Sequence, residues 1–273
     1  MSSSPSRPVF DAELAPHYAV ALEGTLFGSI SVDGGRTSRP PLIGGRDVRP
    51  PDESKPLEEL TREAYIRMID DARASGHPHF LRIWNHVGGI NEVEDGVERY
   101  QRFCAGRHDA FVERGYPCFP AASAVGMQGS GLVTYFLASR EPGVQIENPR
   151  QVSAYRYPSQ YGAKSPSFSR ATRWRDLVFV SGTASIVGHD TMHRGDVVAQ
   201  IEETLRNLDA VLVHAGSAMP EVIGARTYLR RADDIDLVAP RLDALLPFGV
   251  YLEADICRAD LLIEIEVIAR ATR

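Results

Sequence analysis

The second half of the chain alternates hydrophobic and polar positions in a way that predicts a definite order of helices and strands. Apolar residues at helical spacing predict an amphipathic helix over Val197 to Ala215, which ends at Gly216. A hairpin is predicted before this helix, in DLVFVSGTASIVG. After the helix the pattern predicts a strand in GARTYLRR, a short helix in DIDLVAPRLDALLP, and two strands in GVYLEADICR and DLLIEIEVIAR.

The first half repeats this order, which indicates a weak internal duplication. The pattern predicts helices over Leu57 to Ala74 and Val97 to Glu113, and strands in HFLRIWNHV, FPAASAVGM and GLVTYFLAS. A hairpin in YAVALEGTLFGSISV is predicted ahead of them. Because both halves give helix, strand, helix, strand, strand, we predict an α+β fold of two modules, each a mixed β-sheet with helices on one face.

The segment 140–170 joins the two halves and is rich in Pro, Ser, Gly and Arg. Loops of this length inside a compact protein are usually functional or disordered. We expect a functional segment, because it carries side chains that can contact a ring or bind a carboxylate, namely Tyr155, Tyr157, Tyr161, Phe168, Arg150, Arg156, Lys164 and Arg170. A structural strap whose arginines pair with surface acids is the alternative.

Composition narrows the class of protein. The chain of 273 residues has a formal net charge of −6, with 43% hydrophobic and 24% charged residues, as is typical of soluble globular proteins. Basic and acidic residues are interspersed, so no basic face is predicted for nucleic acid. The start, MSSSPSRPVF, has no signal-peptide core, and no long apolar run predicts a membrane span. We therefore expect a cytoplasmic protein.

The sequence gives no sign of a metal or nucleotide site. Its cysteines, Cys104, Cys118 and Cys257, are scattered without CxxC spacing, and its histidines do not form an HExxH arrangement. We expect no metal. No glycine-rich phosphate loop is present, so a nucleotide cofactor is not expected either.

The second half resembles the RidA/YjgF family in VSGTASIVG, NLDAVLVHAG, TYLR and IEIEVIAR. The resemblance implies a fold whose members are trimeric and bind small carboxylates in clefts between modules. Several members deaminate imines and carry an arginine upstream of the IEIE strand. Here Phe248, Gly249 and Val250 occupy that neighbourhood, so an imine deaminase that releases ammonia is a weaker hypothesis. A RidA-like protein that binds a small acid without catalysis is another alternative.

The chain as a whole is similar to the chorismatases, through FLRIWNHVGGIN, ERYQRFCAGRHDAF, PAASAVGM and NPRQVSAYRYPSQYGAKSPSFSRAT. This resemblance implies a RidA-like half joined to a degenerate one. We therefore assign residues 1–145 to a degenerate N-terminal module and 146–273 to a catalytic module, with an active-site strap at 146–172. Ala163 and Lys164 stand where Pro and Arg are expected. A lysine cannot hold a carboxylate bidentately as an arginine does.

The resemblance also implies the reaction, in which the enolpyruvyl ether of chorismate is cleaved to pyruvate and a ring acid, with Glu264 as the proton donor. Protonating the terminal methylene carbon requires a neutral carboxylic acid, and burial raises a carboxyl pKa. Glu264 has such a setting, among apolar residues on a predicted central strand. Glu266 shares its face, and the sequence leaves open that one of the two is structural, or that both lie on a solvated face.

Two residues bear on the ring product in opposite directions. The resemblance places Cys257, seven residues before Glu264 across the predicted last hairpin turn, in the subgroup that makes 3-hydroxybenzoate. By residue type alone, a lone cysteine is more often a small buried apolar residue. Ala184 in the GTAS turn is more like the subgroup that releases 3,4-dihydroxycyclohexa-1,5-dienoate. We favour 3-hydroxybenzoate, because one methyl group in a pocket shifts energies by only about 1 to 3 kcal/mol. The diene diol and 4-hydroxybenzoate are the alternatives.

Substrate contacts are expected from the strap and the GTAS turn. We predict that arginine forks hold the carboxylates, that a tyrosine donates a hydrogen bond and that the turn lines the pocket, through Arg156, Arg170, Tyr161, Gly182, Thr183 and Ala184. Chorismate is the expected partner. No organic cofactor is expected, because vinyl ether hydrolysis needs only acid and water. The sequence is compatible with a monomer or a small homo-oligomer.

Overall fold

The computed structural model describes residues 42–48, 55–129, 131–246 and 249–272, with the backbone alone for 42–48. Within these ranges the chain forms two mixed β-sheets, each covered by helices on one face. The α+β class predicted from the hydrophobic pattern is confirmed. The hairpin predicted in YAVALEGTLFGSISV lies outside the described residues. No described helix is long and apolar enough to cross a lipid bilayer.

The first sheet has the strand order β1-β6-β2-β5, in which β2 and β5 are parallel and the other neighbours are antiparallel. Its elements in chain order are β1 Leu42–Val48, α1 Leu57–Ala74, β2 His79–Gly88, the ribbon β3 Val93–Glu94 and β4 Val97–Glu98, α2 Arg99–Glu113, β5 Ala121–Met127 and β6 Leu132–Ser139. Helix α2 begins two residues later than predicted, because Val97–Glu98 pairs with Val93–Glu94 instead.

The second sheet has the order β14-β13-β15-β9-β8-β7, and β10 also pairs with β15. Its elements and the adjoining ribbon are β7 Val144–Ile146, β8 Ala171–Trp174, β9 Leu177–Val180, β10 Thr183–Ala184, β11 Ile186–Val187, β12 Asp190–Thr191, α3 Val197–His214, β13 Val222–Leu229, α4 Ile235–Leu242, β14 Gly249–Glu253 and β15 Ile263–Arg270. The helices and strands predicted for this half are confirmed, with small shifts at their ends.

Two predicted hairpins are wrong. Strand β9 forms its hairpin with the preceding β8, whereas β9 and β10 both lie antiparallel to β15. Strands β14 and β15 are not neighbours, because β13 lies between them. Strand β14 runs parallel to β13, and such a pair needs a crossover connection, which helix α4 provides. Cys257 therefore lies in a loop between β14 and β15 and not across a hairpin turn.

Alternation along β15 divides its side chains between two environments. Ile263, Ile265 and Val267 belong to the core that includes residues of α3 and α4. Glu264 and Glu266 lie on the other face, and Ile268 on that face packs with Trp84 and Tyr135 of the first sheet in a core shared by the two sheets, whose other buried members are Leu81, Leu137, Trp174, Leu177 and Phe179. The glutamates therefore lie at the junction of the two sheets.

Candidate active site

A cavity of about 150 Å³ opens at the junction of the two halves of the molecule. Its walls come from α2 and β5 of the first half, from the strap, from the segment around β10, from the loop after β14 and from β15. A sequence pattern cannot place these elements together, because they are far apart along the chain. Both halves of the molecule therefore contribute to one cavity.

Glu264 and Glu98 are the two acidic residues that line the cavity, and Glu264 is the more deeply buried. Glu264 is only 4% exposed to solvent, and its Oε1 atom has no hydrogen-bond partner among the described residues. Burial and the neighbouring negative charge of Glu266 raise its pKa to about 8, against the opposing charges of Arg82 and Arg170. A carboxyl with this pKa carries its proton at neutral pH and can donate it.

Gly182 allows the backbone to approach the Glu264 carboxyl closely. A Cβ atom at position 182 would overlap Oε1 of Glu264, so any residue other than glycine would force the carboxyl to move. The chain takes four residues from Phe179 to Thr183, whereas β15 takes three from Ile268 to Ile265, so one extra residue bulges at this point. The bulge brings the backbone N–H of Gly182 to the Ser123 hydroxyl oxygen, at 2.9 Å.

Helix α3 holds the segment that follows the bulge. The Asn207 side-chain amide donates hydrogen bonds to the carbonyl oxygens of Ala184, at 2.9 Å, and Ile186, at 2.8 Å. The Asn207 side-chain oxygen accepts a bond of 2.8 Å from Arg150 of the strap. One buried asparagine thus fixes both the cavity wall at Ala184 and the beginning of the strap.

Glu266 has a different environment from Glu264, although the two share a face of β15. Its carboxylate forms ion pairs with Arg82 at 2.7 Å and Arg226 at 2.8 Å. It also accepts hydrogen bonds from Ser123 Oγ at 2.6 Å and Trp84 Nε1 at 2.9 Å. Burial opposes ionisation, but the two guanidinium groups and these donors lower the pKa of Glu266. Glu266 is therefore an ionised residue that joins the two sheets.

Three arginines line the cavity with donors that lack a partner in the described part of the chain. These donors are Nε of Arg170, Nη2 of Arg258, and Nε and Nη2 of Arg107. Arg170 is anchored by bonds from Nη2 to Val152 O, at 2.9 Å, and to the Tyr157 hydroxyl, at 2.7 Å. Unsatisfied guanidinium donors in a cavity suit an anionic ligand with carboxylate groups.

Arg258 is held by an aromatic ring and by backbone. Its guanidinium lies 4.2 Å from the ring centroid of Tyr161, and its Nη1 donates to His189 O at 2.8 Å. The Tyr161 hydroxyl donates to the same carbonyl oxygen, also at 2.8 Å. The strap and the loop that carries Arg258 are thereby joined beside the cavity.

Six of the predicted site residues line this cavity, namely Glu264, Cys257, Tyr161, Arg170, Gly182 and Ala184. Cys257 is half-buried and packs against a cluster of the apolar residues Ala184, Ile186, Ile256 and Leu261. Burial and the proximity of Glu264 raise the pKa of the Cys257 thiol to about 12. The thiol is therefore neutral at physiological pH.

The structure does not bring Arg156 and Thr183 to the cavity. Arg156 is exposed, and its guanidinium lies 5.8 Å from the ring centroid of Tyr155. Thr183 is buried, and its hydroxyl donates to Ser181 O at 2.9 Å, because alternation along β10 turns it away from the face that presents Ala184. Lys164, which replaces the expected arginine, pairs instead with Asp109 of α2, at 2.6 Å.

The sequence prediction missed Arg107, Arg258 and Ser123. Arg107 could have been found, because it lies on the same face of α2 as the buried Phe103 and Phe111, where a charged residue is unusual. Arg258 could also have been considered, because it directly follows the predicted site residue Cys257. Ser123 carries no such signal in its strand. Within the described ranges, His, Cys, Asp and Glu side chains do not cluster in a metal-binding arrangement.

Comparisons with known families divide the chain into two matched regions. Residues 47–138 match the family model "Chorismatase FkbO/Hyg5-like, N-terminal", and residues 162–271 match the "Endoribonuclease L-PSP" model. The second region contains Gly182, Cys257 and Glu264, whereas the first contains Arg82, Arg107 and Ser123 of the cavity and its surroundings.

Individual relatives extend the match over both regions. The 3-hydroxybenzoate synthase of Streptomyces hygroscopicus is 41% identical over 232 residues, which are 76% of this chain and 68% of that protein. The chorismatase of Streptomyces rapamycinicus is 40% identical over 230 residues, which cover the same shares. A chorismatase crystal structure at 1.08 Å resolution superimposes with a TM-score of 0.72 and 34% identity, covering 84% of this chain and 73% of that one. The chain belongs to the FkbO/Hyg5-like chorismatase family.

Proposed function

We propose that this protein cleaves the enolpyruvyl ether of chorismate to pyruvate and 3-hydroxybenzoate, with Glu264 as the proton donor. The observation that carries the proposal is the buried Glu264 carboxyl, whose pKa is raised to about 8 and whose Oε1 has no partner among the described residues. Relatives named 3-hydroxybenzoate synthase and chorismatase support the choice of substrate.

The first step is proton transfer from Glu264 to the terminal methylene carbon of the enolpyruvyl group. The electron pair of the carbon–carbon double bond forms the new C–H bond, and the ether-bearing carbon becomes an oxocarbenium ion. Glu264 becomes a carboxylate, which the positive charges of Arg82 and Arg170 stabilise. An acid that is neutral before the step and stabilised as an anion after it lowers the barrier to protonation.

The second step decides the ring product. If the substrate's own ring hydroxyl attacks the neighbouring ring carbon, the bond from that carbon to the ether oxygen breaks, its electron pair neutralises the oxocarbenium ion so that pyruvate leaves, and the hydroxyl proton returns to the Glu264 carboxylate. The epoxide formed in this way opens and the ring loses one proton, which gives 3-hydroxybenzoate with no net uptake of water. If water captures the cation instead, the product is the diene diol and one water is consumed. The neutral thiol of Cys257 lines the cavity, where it can donate its proton to the epoxide oxygen as the ring carbon–oxygen bond breaks and then take up the proton that the ring loses on aromatisation, which favours the first route. Ala184, which also lines the cavity, favours capture by water and release of the diene diol.

The cavity arginines fit the two carboxylates of chorismate. Arg107 approaches from the first half, and Arg170 and Arg258 from the second half. Each offers at least one donor that the described residues leave unpaired. Charge-assisted hydrogen bonds to a carboxylate are about twice as strong as neutral ones, so these donors can orient the substrate with its methylene carbon towards Glu264.

We also propose the division of the chain into a degenerate module, residues 1–145, and a catalytic module, residues 146–273, with the strap at 146–172. The two matched family regions lie on either side of this boundary. Strand β7, Val144–Ile146, already pairs with β8, so the second sheet begins just before the boundary.

The proposal is tested by incubating the purified protein with chorismate. Pyruvate is followed with lactate dehydrogenase, and the ring product is identified by chromatography against 3-hydroxybenzoate, 4-hydroxybenzoate and the diene diol. Pyruvate and 3-hydroxybenzoate in equal amounts are expected. The diene diol as the main product would contradict the choice of product, and the absence of pyruvate would contradict the reaction itself.

A further inference from the structure

Glu264 lies next to a buried group of paired charges that includes Arg82. Glu266 is two residues along the same face of β15, at a separation of about 6.6 Å along the strand. It pairs with Arg82 of the first sheet and Arg226 of β13. We call Glu266, Arg82 and Arg226 the charge cluster, and its formal charge is +1.

The charge cluster is almost completely removed from solvent. Arg82 is 2% exposed, Arg226 is 3% exposed and Glu266 is 6% exposed. Charges at this depth interact more strongly than charges in water, because the surroundings polarise less. Any change in the net charge of the cluster should therefore be felt by the Glu264 carboxyl.

Ser123 connects the charge cluster to the backbone beside Glu264. Its hydroxyl donates to Glu266 at 2.6 Å and accepts from the Gly182 N–H at 2.9 Å and from Arg82 Nη2. Gly182 is the residue against which the Glu264 carboxyl packs. The ionised Glu266 thus has both an electrostatic and a structural route to the acid.

Other charged and titratable groups face the cavity from the remaining elements. They are Glu98 of β4, Tyr100 and Arg107 of α2, Tyr157, Tyr161 and Arg170 of the strap, and Cys257 and Arg258 of the loop after β14. Tyr228 lies opposite Glu264 on β13, and His86 of β2 interacts with Arg226 and Glu266. The three arginines are cations, which favour the carboxylate form of Glu264. Glu266 is the nearby ionised acid that opposes them.

We propose that Glu266 is a positioning residue that keeps Glu264 protonated by balancing Arg82 and Arg226 and that, through Ser123, holds Gly182 against it. The proposal rests on the proposed role of Glu264 as the acid. Without Glu266 the cluster has a charge of +2, so Glu264 would release its proton at a lower pH. Both pKa shifts fit this role. Arg82 and Arg226 lower the pKa of Glu266 and keep it ionised, and the negative charge of Glu266 raises the pKa of Glu264.

Variants that change the cluster charge in opposite directions test this proposal. The pH dependence of kcat for pyruvate release is measured in Glu266→Gln, Arg82→Gln and the double variant. The alkaline midpoint should move down by about one pH unit or more in Glu266→Gln and up in Arg82→Gln. In the double variant, which restores the charge of +1, it should return towards the native value.

Ser123→Ala is the matched control for local disruption, because it removes the hydroxyl and leaves every charge in place. Its alkaline midpoint should stay near the native value even if kcat falls. Because the two single variants should shift the midpoint in opposite directions, either one still tests the proposal if the other fails to fold. An equal downward shift in Glu266→Gln and the double variant, or no shift in either single variant, would overturn the proposal.

A direct measurement of protonation separates this proposal from the proposed function. The infrared absorption of a protonated carboxyl, identified by its loss in Glu264→Gln, is titrated in the native protein and in Glu266→Gln. A lower midpoint in Glu266→Gln supports the proposal even if chorismate is not the substrate. An unchanged midpoint contradicts it even if chorismate is cleaved.

Discussion

Two glutamates on one strand face have opposite ionisation states because their partners differ. Glu266 receives two guanidinium groups and two further donors, whereas Oε1 of Glu264 receives none from the described residues. The sequence predicted the buried strand and the apolar neighbours of Glu264. It could not predict which glutamate is ionised, because Arg82, Ser123 and Trp84 come from the other half of the chain.

The raised pKa of Glu264 predicts how Glu264→Gln changes stability with pH. Between the ordinary value of 4.5 and the native value of about 8, the folded protein holds a proton that the unfolded chain releases. Raising the pH through this window therefore destabilises the native protein, by up to about 1.4 kcal/mol per pH unit, and the effect levels off above the native pKa. Glutamine does not titrate, so the variant escapes this loss.

Urea unfolding of both proteins at several pH values between 5 and 9 measures the difference. The stability of Glu264→Gln relative to the native protein should increase from pH 5 to about 8 and then remain constant. A difference that does not change with pH would show that Glu264 is not held protonated by the fold.

Gly182→Ala tests the close approach of backbone and acid. The added methyl group would overlap Oε1 of Glu264, so the carboxyl must move. Displacing a reacting group by about 1 Å costs on the order of a hundredfold in rate. We expect such a loss in kcat for pyruvate release, with a folded protein by circular dichroism. Thr183→Ala, whose side chain faces away from the cavity, should keep most of the activity. Equal losses in the two variants would contradict this account.

At the scale of elements, the hydrophobic pattern predicted the helices and strands better than their connections. The periodicity of α1 and α3 was sufficient to predict these helices, because each buries one continuous face. Strand β15 was predicted from its apolar run and is buried on both faces. The hairpins at β9 and β14 were predicted wrongly, since strand pairing depends on partners distant in sequence. The bulge between Phe179 and Thr183 could not be predicted either, because the only sequence feature of the GTAS turn that indicates it is Gly182.

Helix α2 shows how a binding group can come from an element predicted only as structural. Arg107 is buried with two donors that the described residues leave unpaired, whereas the exposed Arg156 of the strap does not reach the cavity. Losing one charged hydrogen bond costs about 1.5 to 3 kcal/mol, which is roughly a ten- to hundredfold effect.

Arg107→Gln and Arg156→Gln form a matched pair for steady-state kinetics with chorismate. Arg107→Gln should raise KM by tenfold or more, because a carboxylate contact present in ground and transition states is lost. Arg156→Gln should leave both constants close to the native values. Indistinguishable KM values for the two variants would exclude Arg107 from substrate binding.

At the scale of the whole molecule, the cavity exists because the two sheets face each other. The ion pair between Arg82 and Glu266 and the aromatic contacts of Trp84 and Tyr135 join the halves beside the acid. The internal duplication was visible in the sequence, and so were six of the cavity residues. The way the halves pack was not visible, because one sequence contains no information on which of their faces meet.

The central claim is that Glu264 hands its proton to the methylene carbon of the substrate, and the pH dependence of pyruvate release in native protein and Glu264→Gln tests it most directly. The native rate should be constant up to about pH 8 and fall about tenfold per pH unit above it, since the acid form is consumed. Pyruvate formed in D₂O should carry one deuterium in its methyl group. Glu264→Gln should be at least about a thousandfold slower at every pH. Pyruvate release at the native rate in Glu264→Gln would contradict the account.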